Sequence, residues 1–211
     1  MAITTNSELN TAVANWLSRS DLTSRIPEFI ALFEAKFNRD MRVPQQERRN
    51  ESFSVNAEYV SVPTDFLELR AMFITSSGTR YPINQMPPSQ ESEFYSTGTG
   101  VPRFVSVSGH TTADGTMAFR FAPPPDGTYT ATIVYYAKLP ALNSTTQTTN
   151  WLLTSHPDAY LYGALLEASI FIGDDPRIPM WKAAYDMAMG SLNRSASRSR
   201  WSSTGLAVRP M

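Results

Sequence analysis

The chain of 211 residues contains no cysteine and only two histidines, His110 and His156. Without thiols there is no disulfide framework, no thiolate zinc or iron–sulfur site and no cysteine nucleophile, and two imidazoles are too few for a histidine-rich metal site. Charge is scarce as well. Charged residues make up 18% of the chain, below the usual quarter, and 18 basic against 19 acidic side chains leave a formal charge of -1. The overall balance therefore gives no reason to seek nucleic acid or an anionic membrane. The longest apolar stretch, Leu161 to Ile172, is broken by Glu167 and falls well short of the roughly 20 residues a membrane span needs. The residues before Glu8 lack the basic start and apolar run of a secretory signal. A soluble chain with no membrane partner is expected.

Hydroxyls take the place of charge: 23 serines and 21 threonines suit strands and loops better than solvated helix faces. A hydrophobic content of 42%, with 11% aromatic residues, supplies a proper core. Counted by segment, residues 1–50 carry 7 basic and 6 acidic side chains, 51–150 carry 5 and 8, 151–190 carry 2 and 5, and 191–211 carry 4 and 0. Only the last segment is one-sided.

Periodicity organises the chain. Thr5-Asn6-Ser7-Glu8 has capping-box spacing, followed by Leu9, Ala12, Val13, Trp16 and Leu17 on one helical face, with a stop expected near Ser20 or Asp21. A second helical stripe runs through Ile26, Phe29, Ile30, Phe33, Phe37 and Met41, with Pro27 in its first turn and Pro44 as its stop. From Glu51 the period falls to two. Strands are predicted around Phe53–Val55, Val60–Val62, Leu67–Ile74, Tyr81–Ile83, Phe104–Val107, Met117–Phe121 and Tyr129–Ala137, with hairpin turns at Asp114-Gly115 and Asp126-Gly127 and a short helix over Ser89–Tyr95. Lys138 to Asn150 reads as a polar linker. Helices return at Pro157, closing at Gly173, and again from Trp181 to Leu192.

The expected fold class is α+β: a four-helix bundle formed by the N- and C-terminal helix pairs (1–48 and 150–194), an inserted antiparallel β domain with its linker (49–149), and an extended C-terminal arm (195–211).

Candidates for catalysis are weak. His156 and Asp158 stand beside a helix start, where capping explains them, and are the sole basis for a hydrolase reading. His110 reads as a loop histidine. Asp174-Asp175 sits where a helix dipole favours negative charge, and Glu91 and Glu93 belong to the predicted short helix. Thr97-Gly98-Thr99-Gly100 lacks the lysine of a phosphate loop. No catalytic residue, cofactor or metal is assigned. The strand aromatics Phe119, Phe121, Tyr129, Tyr135 and Tyr136 fit a core, or, if outward-facing, the platform of a carbohydrate-binding or fibre-associated β module. The arm is sharper: its arginines suit bidentate contacts to carboxylate or phosphate and Trp201 is a common interface anchor.

Three stretches, Arg25-Ile26-Pro27-Glu28-Phe29-Ile30, Val60 to Arg70 and Trp151 to Ala164, together with Asp174-Asp175-Pro176, resemble the head-to-tail adaptor proteins of tailed bacteriophages, the group that includes tail tubular protein A. The resemblance runs in order along nearly the whole chain and rests on packing and turn motifs, with no catalytic signature among them. It implies a structural virion protein of the head–tail junction without enzymatic activity, assembled as a ring of twelve below the portal protein and continuing the DNA channel. Arg198, Arg200, Trp201, Leu206, Val208 and Arg209 would dock on the portal, and the β domain would face a tail nozzle or tube protein. Genomic DNA would pass through a neutral or acidic lining without sequence-specific binding.

Overall fold

The computed structural model describes residues 3–76, 78–90, 98–109 and 116–201. The chain forms two compact units, one of Met1–Gln46 with Leu139–Met211 and one of Glu47–Lys138.

The first unit is helical. Helix α1 (Asn6–Leu17) starts at the predicted capping box, in which Thr5 accepts from the Glu8 N–H and the Glu8 carboxylate accepts from the Thr5 N–H. It ends at Ser18, in the left-handed region at φ 54°, earlier than the sequence indicates. Helix α2 (Ile26–Asp40) carries Pro27 in its first turn, where a missing N–H costs nothing. Asn150 caps the short α3 (Trp151–Ser155), α4 (Pro157–Ile172) stops at Gly173 with φ +85°, and α5 (Ile178–Trp201) follows.

This is not the expected four-helix bundle. The described residues hold five α-helices, and α4 packs against α1, α2, α3 and α5. A bundle helix shows one apolar stripe; α4 buries Ala159, Tyr160, Leu161, Gly163, Ala164, Leu165, Ala168 and Ser169, which lie around most of its circumference. It is a central helix wrapped by the others. It approaches α2 closely: a Cβ placed on Gly163 would stand 2.2 Å from the Phe33 ring, which also meets Tyr160 edge-on at 5.0 Å between centroids. The extended arm is corrected too, because α5 runs through Trp201 and buries Ala196 one turn beyond Leu192.

Arg177 secures the start of α5. Asp175 binds its guanidinium through both carboxylate oxygens, and the same guanidinium donates to the Trp16 and Leu17 carbonyls, which lack helical partners at the end of α1. That is the work of the Asp174-Asp175-Pro176 stretch.

The second unit is one seven-stranded sheet: β1 (Glu47–Val55), β2 (Tyr59–Ser61), β3 (Phe66–Ser76), β4 (Thr79–Gln85), β5 (Phe104–Gly109), β6 (Met117–Ala122) and β7 (Tyr129–Ala137), in the order β1-β7-β3-β4-β5-β6-β2. The expectation of an antiparallel domain fails at one place, since β4 and β5 run parallel. Residues 79–83 of β4 pair with β3, and residues 84–85 with β5, so β4 is shared between the two halves of the sheet. The sheet curls until those halves face each other: Phe119 of β6 meets Phe53 of β1 at 5.7 Å and Phe66 of β3 at 5.2 Å. Asp126-Gly127 is no hairpin. Strands β6 and β7 are not neighbours, and among the described residues positive φ occurs at Ser18, Gly78 and Gly173, not at Gly127. The turn at Asp114-Gly115, His110, Glu91, Glu93 and most of the predicted helix over Ser89–Tyr95 lie outside the described residues.

The Val60 to Arg70 stretch is a turn motif. The Phe66 N–H donates to the Pro63 carbonyl at 2.9 Å, and the Asp65 carboxylate accepts from Arg48 at 2.9 Å and from the Tyr135 hydroxyl at 3.0 Å. Burial, and then the bond to Asp65, push the Tyr135 phenol up to about 12.

Candidate functional site

The aromatic platform disappears into the core. Phe119 and Phe121 are 0% exposed, Tyr135 5% and Tyr136 3%, while Tyr129, half-buried at the start of β7, binds Asp126. A strand places alternate residues on opposite faces, so Phe119, Phe121 and Tyr135 fill the core of the curled sheet while Tyr136, next to Tyr135, lies on the other face and is buried there. A carbohydrate platform built on them is therefore excluded. The histidine candidate fares no better as a catalytic group. His156 separates α3 from α4, its N–H donates to the Leu152 carbonyl at 2.7 Å, and Asp158 is exposed in the first turn of α4.

Of the six proposed arm residues, three fall on α5. Arg198 is exposed there, Arg200 and Trp201 are its last residues, and Leu206, Val208 and Arg209 lie outside the described residues. Sequence reasoning ended the helix at Leu192 because Asn193 to Arg200 shows no apolar stripe. The structure extends the stripe by one residue, Ala196, and turns Asn193, Arg194, Ser195, Ser197 and Arg198 outward. Arg194 and Arg198 are consequently one turn apart on an exposed helical surface. Cations in the last turns of a helix are favoured by its dipole, so the basic run also supports the helix that presents it.

A second feature went unread in the sequence. Glu34 lies on α2 between Ile30 and Phe37, within the apolar stripe, and is 5% exposed. Its Oε1 accepts from the Leu142 N–H and from the Tyr160 hydroxyl, both at 2.9 Å. Asn150 donates from Nδ2 to the Tyr160 oxygen at 2.6 Å and to the Pro140 carbonyl at 2.8 Å, while its Oδ1 accepts from the Leu153 N–H at 2.9 Å. Asn38 receives the Leu139 N–H at 2.8 Å, and the Asn6 N–H reaches the Thr148 carbonyl at 2.7 Å. The segment expected to be a polar linker is thus pinned to the helices along its length. An acid at an i+4 position of an apolar stripe is the sequence signal for such an anchor.

Burial pushes the Glu34 carboxyl above its ordinary value, against the two hydrogen bonds that favour its charged form. The Tyr160 phenol is raised as well, first by burial and then by the neighbouring negative charge. A carboxyl with a raised folded-state pKa contributes stability that is complete below its unfolded pKa and is lost as pH rises through the folded one. Glu34→Gln removes that titration. The stability of the variant relative to the unaltered protein should therefore rise between pH 4 and pH 7 in urea unfolding; a difference independent of pH would contradict a titrating Glu34.

Residues 4–209 match the family model described as SU10 adaptor protein. No curated protein matches the chain.

Proposed function

The chain belongs to the SU10 adaptor protein family, a family of phage adaptor proteins, and on that premise we propose that it is a head-to-tail adaptor of the tail tubular protein A type. The observation that carries this reading is the extent of the family match, which includes both compact units and the basic end of α5. Family membership implies a structural, non-enzymatic component of the virion that works by contact with other virion proteins. In the proposed arrangement twelve copies form a ring under the portal. The helical unit supplies the ring, residues 195–211 bind the portal through Arg198, Arg200, Trp201, Leu206, Val208 and Arg209, and the β unit meets the nozzle or tube protein of the tail. Genomic DNA passes along the axis without sequence-specific contacts.

A hydroxyl-rich surface with few charges fits this role. Each subunit of a heterologous ring must cover two different side faces and still remain dispersed before assembly. Negative-stain microscopy of the protein mixed with its candidate portal tests the reading directly. A ring coaxial with the portal is the expected result, and a mixture in which the portal particles stay unchanged would overturn it.

A further inference from the structure

The β4–β5 ladder stops abruptly. The Asn84 N–H donates to the Arg103 carbonyl and the Met86 N–H to the Val105 carbonyl, each at 2.9 Å. By the same register, with Asn84 opposite Phe104, the next rung would join the N–H of residue 82 to the carbonyl of residue 101. Residue 82 is proline and has no N–H, and the Arg103 N–H is turned away to the Ala122 carbonyl at 3.0 Å. The two chains part there, leaving a slot of about 450 Å³ lined by Ser76, Tyr81, Pro82, Asn84, Val101, Pro102, Arg103 and Phe104.

Its lining is chemically specific. Tyr81 is 46% exposed although it is a large aromatic residue, and the exposed Pro82 offers a flat apolar wall. Elsewhere in this unit the described arginines are committed: Arg48 to Asp65, Arg49 to Glu51, Arg70 to Glu47, Arg120 to Glu58, and Arg80 to the face of Phe73. Arg103 is exposed and has no carboxylate or ring partner among the described residues. Arg103 is the one cation among the described residues of the lining, and a single guanidinium is poorly suited to a polyphosphate backbone and well suited to one carboxylate.

We infer that this slot binds a loop of the partner protein that carries a carboxylate for Arg103 beside a ring-bearing side chain held by Tyr81 and Pro82. The inference rests on the reading that the β unit meets the next tail component, and it names the chemistry of that contact.

The test uses the full chain with three fluorescent probes at low salt: a capped peptide with two aspartates flanking a phenylalanine, the same peptide with asparagines, and a single-stranded oligothymidylate. The aspartate peptide should bind, and Arg103→Gln should weaken it by at least about tenfold, as expected for a lost charge-assisted hydrogen bond. Arg49→Gln, outside the slot, should leave it unchanged. Equal binding of the asparagine peptide, preference for the oligonucleotide, or an unaffected Arg103→Gln variant would overturn the inference. Peptide binding and ring formation on the portal are separate readouts, so either reading can fail while the other stands.

Discussion

Gly163→Ala destabilises the helical unit by about 2–3 kcal/mol, at the upper end of what overpacking of a closed core costs. The sign is not obvious beforehand, since alanine is the better helix former by about 1 kcal/mol in a helix interior. Geometry decides it. The new Cβ would meet three atoms of the Phe33 ring at 2.2, 2.5 and 2.8 Å. Phe33 is fully buried and cannot simply swing aside, because Phe37 lies at 6.2 Å, Tyr160 at 5.0 Å and Tyr185 at 6.3 Å from its ring centre. Relief requires α2 and α4 to separate, which loosens the Glu34–Tyr160 bond between the same two helices. Urea unfolding measures the loss. A smaller ring-site residue should restore part of it, so Gly163→Ala combined with Phe33→Leu should cost less than the sum of the two single changes. A stability equal to or above that of the unaltered protein would mean the helices do not approach as closely as the Gly163–Phe33 contact demands.

The Gly163 contact also shows where local sequence reading stops. Tyr162-Gly163-Ala164 is part of a stretch that carries the family resemblance, yet a glycine in a helical pattern looks like a minor defect until the ring opposite is known. Features that depend on neighbours along the chain were legible: the Thr5–Glu8 capping box, Pro27 in a first turn, Gly173 at a helix end, and all seven strands from their period of two. Features that depend on partners remote in sequence were not. The parallel β4–β5 pair leaves no local mark, because periodicity reports which face is buried and not which strand lies alongside. The wrapped α4 did leave a mark. The apolar run from Leu161 to Ile172 is interrupted by Glu167 and Ser169, but its first part, Leu161 to Leu166, is too continuous for a helix with one wet face, and that continuity is what separates a central helix from a member of a bundle. Of the arm, only its basic composition was legible. Its helical start was hidden because one buried alanine among serines and arginines is a faint apolar signal.

Removing residues 198–211 should abolish portal binding while leaving the protein folded. The cut follows from the structure: ending the chain at Ser197 keeps Ala196, the last buried residue of the α5 stripe among the described residues, whereas a cut after Arg194 would strip it from the core. The removed part of α5 is its last turn, in which Arg198 is exposed, so the helical signal and the urea midpoint should change little. Binding should change greatly. The deleted stretch contains Arg198, Arg200, Arg209 and Trp201 with no acidic residue, and arginine and tryptophan are the residue types that most often act as interface anchors. Two anchors at about 2 kcal/mol each already correspond to roughly a thousandfold loss of affinity. Sedimentation with purified portal at physiological salt would then show no complex. Charge reversal separates contact from mere length: Arg198→Glu with Arg200→Glu keeps the full length of the helix and should weaken binding to a similar degree, more severely at low salt than at high, because interactions of exposed charges are screened by ions. Full-affinity binding by the truncated chain would remove the arm from the interface and leave the other surfaces of the helical unit to hold the portal.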